Sequence, residues 1–174
     1  LNHLGGMSYY DGKLYIAVED SEDQNPYLMT FSAETLEFLN AYEMPQELLE
    51  GSFPWCAVDA ENGYIYCSQF NDVNEIFVFD IETIEYSHSI KLSEQITRIQ
   101  GGEVYDGLLY LSYDAKEGNT CWSNLRLNLK TADSGVMRVG GEELMPNPKT
   151  PAQIEQACRE HGVDITLGHW DWVL

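Results

Sequence analysis

The sequence predicts an all-β protein built from three similar units of four strands each, followed by a short helix and a tail. An Asp-Gly or Asn-Gly pair recurs three times between short runs rich in aromatic and β-branched residues. Threonines at positions 35, 83 and 131 recur with an interval of 48 residues. Repetition at a fixed period of this length is typical of folds that stack one supersecondary unit several times.

Each unit begins with a strong hairpin signal. The turn glycines are Gly12, Gly63 and Gly107, within the segments 6–16, 57–66 and 102–111, and each follows Asp or Asn. Such a pair tolerates the positive φ angles of a two-residue type I′ turn. The strands on either side are therefore predicted to pair directly across it.

A second hairpin signal lies downstream of each turn, at 31–38, 79–86 and 127–134. Each unit is therefore predicted to hold four strands, which in the second unit fall at about 54–60, 64–70, 75–80 and 84–91. In the third of these strands, Ile76 and Val78 point to one side while Phe77 and Phe79 point to the other. Apolar residues on both sides predict a sheet that is covered on both faces.

A four-stranded unit with this period is typical of a blade of a β-propeller, with a β-sandwich as the alternative. Residues 5–140 resemble blades of secreted or extracellular propellers whose repeats read Gly-Gly, then Tyr-x-Asp-Gly-x-Leu-Tyr, then Asp-x-x-Thr. This six- and seven-bladed group includes the sugar-lactone lactonases and many bacterial surface proteins. The shared motifs are structural, so the resemblance implies a fold and a secreted or cell-surface location, but no reaction.

The predicted blades occupy about 1–48, 49–95 and 96–140, and residues 141–174 form a cap or tail. A capping box at Thr150 to Gln153 and a stop at Gly162 predict a helix over about 151–161. Three blades do not close a ring, since propellers use four to eight. Three arrangements remain open: part of a longer six- or seven-bladed chain, a homodimer that completes a six-bladed ring, and a stack capped by the tail.

The chain is strongly acidic, with 9 basic and 29 acidic residues and a net charge of -20. A protein this negative repels phosphate, so nucleic acid is not an expected partner. No apolar run approaches the roughly 18 residues that cross a bilayer, so membrane insertion is not expected either. The expected partners are a small molecule, a cation or another protein.

Four cysteines, Cys56, Cys67, Cys121 and Cys158, show no Cys-x-x-Cys spacing of a metal or redox site. A two-residue turn at 62–63 would place Cys67 opposite Val58 and Cys56 opposite Gln69. The two sulfurs would then lie diagonally on one face, which is poor geometry for a disulfide. Free buried thiols are favoured over a bridge.

The resemblance implies that the first strand of each blade lines a central channel, and that the loops leading into it form the ligand-binding face. Six residues are then ligand-binding candidates: His3, Trp55, Asp59, Arg98, Gln100 and Glu103. Their mixed polar character suits a small molecule or a cation. Because hard cations prefer oxygen ligands, Ca²⁺ is the one cofactor to consider. The sequence predicts neither a metal-ligand set nor a catalytic residue.

Two functions fit these observations. A secreted or surface module that binds a small ligand or a protein partner requires no feature that the sequence lacks. The alternative, implied by the resemblance alone, is part of a calcium-dependent lactonase- or esterase-like hydrolase, in which the metal polarises a carbonyl and stabilises the developing oxyanion. No Gly-x-Ser-x-Gly elbow, His-Glu-x-x-His helix or nucleotide fingerprint occurs. Whether the chain is an enzyme therefore stays open.

Overall fold

The computed structural model describes residues 3–19, 25–114, 122–128 and 136–137. These residues form three sheets in chain order, antiparallel except for one two-residue parallel pair, and we call them blades 1, 2 and 3. Blade 1 holds β1 (His3–Tyr10), β2 (Lys13–Glu19), β3 (Pro26–Ser32) and β4 (Phe38–Glu43). A short helix, α1 (Gln46–Leu49), follows; the sequence reading did not predict it.

Blade 2 holds β5 (Cys56–Asp59), β6 (Tyr64–Cys67), β7 (Val73–Asp80) and β8 (Tyr86–Ile96). Blade 3 holds β9 (Ile99–Tyr105), β10 (Leu108–Asp114) and β11 (Trp122–Asn128). A two-residue strand, β12 (Val136–Met137), pairs in parallel with β8 of blade 2. In each blade, strands that follow one another along the chain pair with one another, and the first strands β1, β5 and β9 contact one another. This is the arrangement of propeller-type blades around a common axis, left open, and it confirms the all-β, blade-type prediction.

The two Asp-Gly hairpins of blades 1 and 3 are tight two-residue turns, as predicted. Tyr10 pairs with Lys13 and Tyr105 pairs with Leu108, so only the Asp-Gly pair lies between them. Both residues of each pair have positive φ, for example 45° at Asp11 and 74° at Gly12. This is the conformation that a type I′ turn requires.

The prediction for the second hairpin is wrong. Asp59 pairs with Tyr64, so residues 60–63 form a four-residue loop. The cause is the Asp59 carboxylate, which accepts the backbone N–H groups of Glu61 and Asn62, each at 3.1 Å. These bonds start the loop directly after Asp59, and the loop ends at Gly63, where φ is 73°.

This longer loop shifts the register of the two cysteines. Cys56 lies directly opposite Cys67 rather than diagonal to it, which corrects the predicted pairing with Val58 and Gln69. Both cysteines are buried free thiols. Cys121 and Cys158 lie outside the described residues, as do the predicted helix over 151–161 and the rest of the tail.

The recurring threonine builds the same turn between the last two strands of blades 1 and 2. In blade 2 the Asp80 carboxylate accepts the N–H of Thr83 at 2.9 Å, and such bonds lower the pKa of Asp80. The residue after each threonine, Leu36 or Ile84, adopts φ of 59°. The hydroxyl of Thr35 or Thr83 then accepts the next backbone N–H at 3.3 Å. The 48-residue interval therefore marks a turn with a fixed set of hydrogen bonds; Thr131 lies outside the described residues.

Blade 2 is covered on both faces, as its alternation predicts. Ile76 and Val78 belong to a buried cluster shared with Leu109 of blade 3. On the opposite face, Phe77 and Phe79 belong to a second cluster that reaches into blade 1. The core of the described residues therefore has one layer on each side of blade 2.

Glycines bring the first strands of the blades close together. Gly6 of β1 donates its N–H to the carbonyl of Pro54 at 2.7 Å. On the other side, Gly102 of β9 lies against the Trp55 indole, where an added Cβ would come within 2.5 Å of Cζ3. The Gly-Gly motif thus lets both neighbouring blades approach the fully buried Trp55.

Candidate functional site

The six ligand-binding candidates lie on or beside the first strands β1, β5 and β9, but they are spread over both ends of these strands. His3 is exposed at the start of β1, and its Nδ1 lies 2.8 Å from Glu19 Oε2. Oε1 of the same carboxylate accepts the Ser52 hydroxyl at 3.2 Å and the Phe53 N–H. Glu19 thus ties blade 1 to the loop that leads into blade 2.

Two of the candidates are buried with polar partners inside the protein. Trp55 is fully buried, and its indole N–H donates to Ser68 Oγ at 3.0 Å. Asp59 is also buried, and besides holding its own loop it accepts the Tyr66 hydroxyl at 3.2 Å. Desolvation and the nearby Asp59 charge raise the pKa of Tyr66, which keeps its hydroxyl protonated as a donor.

The other three candidates lie in blade 3 or at its start. Arg98 has φ of 62° and stacks its guanidinium over the Phe70 ring, 5.4 Å from the centroid. Gln100 is half-buried on β9. Glu103 is exposed on the same strand, and partial desolvation raises the pKa of its carboxyl. These positions alone do not test the six assignments, which stay predictions.

The cysteine pair lies between blades 1 and 2. Cys56 donates its thiol to the Tyr15 carbonyl at 3.4 Å. Burial raises the pKa of Cys56 to about 12, and burial together with Cys56 raises that of Cys67. Because the reactive form of cysteine is the thiolate, these thiols are unsuited to nucleophilic chemistry.

Among the described residues, no three His, Cys, Asp or Glu side chains are grouped so that they could hold a metal ion. Ca²⁺ as a cofactor and the calcium-dependent hydrolase therefore stay hypotheses. In the same residues, no helix has the length and apolar character needed to cross a membrane.

The structure shows a cavity that the sequence did not reveal. It has a volume of about 310 Å³ and lies between blades 1 and 2, at the end where the β1–β2 and β7–β8 turns meet. Three tyrosines and a threonine share its wall with charged and aliphatic side chains: Tyr10, Asp11, Lys13, Tyr15, Thr30, Tyr42, Ile81, Glu82 and Ile84. The β1–β2 hairpin, the last two strands of blade 1 and the turn of blade 2 all contribute to it.

Two buried hydroxyl groups give this cavity its polar character. Thr30 and Tyr15 are each only 4% exposed, and both line the cavity. No hydrogen bond joins either side-chain hydroxyl to another described residue, yet neither is an enclosed, unsatisfied polar atom. Both residues line the cavity, and a nearly buried hydroxyl without a hydrogen-bond partner is costly.

Electrostatics keep the Tyr15 hydroxyl a donor. Burial is the first cause of its raised pKa, followed by Tyr42, Tyr10 and Asp11. A neutral phenol both donates and accepts a hydrogen bond. The cavity wall thus carries hydroxyl groups that can donate and accept hydrogen bonds, next to the aromatic rings of its tyrosines.

No protein-family model matches this chain, and no curated protein matches it. Among solved structures, a luciferin-regenerating enzyme is similar with a TM-score of 0.48 and 16% identity, over 67% of this chain and 39% of that chain. Sqt1 of Saccharomyces cerevisiae is similar with a TM-score of 0.45 and 12% identity, over 70% of this chain and 30% of that chain. The chain thus spans well under half the length of either protein. Similarity this low carries no argument about activity, and the blade architecture rests on the topology and packing described above.

Proposed function

We propose that this chain is a propeller-type binding module that takes a small, uncharged, hydroxyl-bearing molecule, such as a single sugar ring, in the cavity between blades 1 and 2. The observation that carries the proposal is a pair of hydroxyl-bearing residues, Thr30 and Tyr15, which are nearly buried in the fold and both line this cavity. A ligand that supplies one donor and one acceptor would satisfy both groups.

The size and chemistry of the wall support this class of ligand. A volume of about 310 Å³ is at the small end of ligand pockets, which span roughly 300–1,000 Å³. Tyrosine rings pack against the apolar face of a sugar while their hydroxyls bond to its edge. Lys13 stands beside two carboxylates, Asp11 and Glu82, so the wall carries no excess positive charge for an anion. The net charge of -20 disfavours anionic ligands further.

The experiment is a binding titration by calorimetry, followed by two substitutions that remove a hydroxyl and keep the volume. Neutral hexoses, glucuronic acid and glucosamine serve as probes. The proposal expects saturable binding of a neutral hexose and weaker binding of glucuronic acid. Thr30→Val and Tyr15→Phe should each weaken hexose binding about fivefold, since a neutral hydrogen bond contributes about 1 kcal/mol.

The matched control is Tyr105→Phe, which removes the same hydroxyl from a side chain that is 72% exposed and lies outside the cavity. Its affinity should equal that of the wild type. The proposal fails if no neutral hexose saturates the protein, or if the two cavity variants bind as tightly as the control.

A further inference from the structure

The contacts between blades follow one rule throughout the described structure. In each blade, the third residue after the turn glycine is a tyrosine: Tyr15, Tyr66 or Tyr110. We call the side of the sheet that carries this residue the tyrosine face. The opposite side carries the second residue after the glycine, Leu14, Ile65 or Leu109, and we call it the aliphatic face.

Each interface joins a tyrosine face to the aliphatic face of the next blade. Tyr15 shares its buried cluster with Ile65, and Tyr66 shares the other with Leu109. Ile65 and Leu109 are both fully buried as a result. Within the part of the chain that the structure describes, two faces have no partner in this pattern: the aliphatic face of blade 1 and the tyrosine face of blade 3.

The aliphatic face of blade 1 is apolar and open on its first strand. Leu4 and Met7 lie opposite Val18 and Ile16, and Tyr9 lies opposite Leu14, so all three belong to this face. Each of the three is more than half exposed. Neither described core cluster includes a residue of this face. An apolar strip on a chain with a net charge of -20 marks an interaction surface.

We propose that the aliphatic face of blade 1 binds the tyrosine face of blade 3 of a second copy of this chain. The repeat itself identifies the occupant, because the two interfaces within the chain are formed by this same pair of faces. Two copies related by a twofold axis make the contact twice and close a ring of six blades. Six lies within the four to eight blades that propellers use.

The inter-blade contact within the chain also identifies which residues meet. Cys56 lies opposite the fourth residue after the turn glycine of blade 2, and it touches the Tyr15 carbonyl. In blade 1 the residue in the position of Cys56 is Met7, which lies opposite Ile16. In blade 3 the residue in the position of Tyr15 is Tyr110. Met7 of one copy therefore lies against Tyr110 of the other.

The first test is the mass of the 174-residue chain in solution, by light scattering coupled to size-exclusion chromatography over a range of concentrations. The expected mass is about 40 kDa, twice the 19.8 kDa of one chain. Added salt should strengthen the dimer, because it screens the repulsion between two acidic chains. A monomer at every concentration overturns the proposal, as does a trimer or an open series of larger assemblies.

The second test uses two charged variants, alone and mixed. Met7→Lys and Tyr110→Glu should each be monomeric alone, because each homodimer would carry two damaged contacts. Mixed in equal amounts they should form a dimer again, since one contact is then wild type and the other pairs Lys with Glu. Tyr9→Lys, on the same strand and also exposed, repeats the test if Met7→Lys does not fold. Leu36→Lys changes an exposed turn residue and should stay dimeric.

Two outcomes contradict the head-to-tail ring even if a dimer forms. A dimer that survives Tyr110→Glu places two blade 1 faces back to back. Two monomeric variants that stay monomeric on mixing exclude the exchanged contact. Each sample is checked by circular dichroism, so that unfolding is not read as dissociation.

Discussion

Replacing Gly102 with alanine should destabilise the fold far more than a single methyl group normally does. The new Cβ would lie within 2.5 Å of Trp55 Cζ3 and 3.2 Å of Leu111 Cδ2. Carbon atoms prefer separations of about 3.5–4.0 Å, so the indole must move by about 1 Å. The indole is fully buried within a cluster of core residues. Overpacking of this kind costs about 1–3 kcal/mol, and weakening the 3.0 Å bond to Ser68 costs about 1 kcal/mol more.

The expected loss of about 3 kcal/mol is measured by urea denaturation, followed by both tryptophan fluorescence and circular dichroism. Gly12→Ala is the matched control, because an added Cβ there has nothing within 4 Å. Its φ of 74° still costs a non-glycine residue about 1 kcal/mol. If Gly102→Ala is no less stable than Gly12→Ala, the glycine does not serve the close approach of blade 3 to Trp55.

Four further predictions concern particular residues in the blades. Leu36→Asn should raise the free energy of unfolding by about 1 kcal/mol, because Leu36 has φ of 59° and is 67% exposed; unchanged stability in urea would contradict this. Asp59→Ala should cost about 3 kcal/mol, because several buried bonds are lost, whereas Asp80→Ala in an exposed turn should cost much less; equal losses would refute the difference. Cys56 and Cys67 should resist iodoacetamide at pH 8 in the native protein and react once it unfolds, as mass spectrometry would show. Folding raises the pKa values of both thiols, so the buried protonated thiols contribute to stability in full below about pH 8.5, the usual thiol pKa. This contribution is lost as the pH rises toward 12. A urea midpoint that stays the same from pH 8 to pH 11 would contradict this expectation.

The sequence predicted the blades well because their signals are local. The Asp-Gly turns of blades 1 and 3 need only two adjacent residues, and the threonine turn needs six. The prediction for the second hairpin was wrong because its turn depends on a residue outside the Asn-Gly pair. The side chain of Asp59 accepts hydrogen bonds from the backbone of the loop. The longer loop that these bonds produce shifts the register of β5 and β6, so that Cys56 lies opposite Cys67.

The cavity lay beyond the reach of sequence reasoning. Its wall joins Tyr10 and Thr30 of blade 1 to Glu82 of blade 2, more than 50 residues further along the chain from Thr30. Its existence depends on how far the two blades separate at one end, which no local pattern encodes. One signal was present in the sequence: Thr30 stands in a strand among apolar residues, and a hydroxyl in such a place requires a partner.

The described strands stack as three blades in chain order, with blade 2 covered on both faces by its neighbours. Amide hydrogen exchange followed by mass spectrometry tests this stacking, because protection reports the free energy of opening each segment. The slowest exchange is expected in β5, β6 and β7, between Cys56 and Asp80, and faster exchange in β4, whose side chains are mostly exposed. Faster exchange in β5–β7 than in β4 would contradict the stacked arrangement.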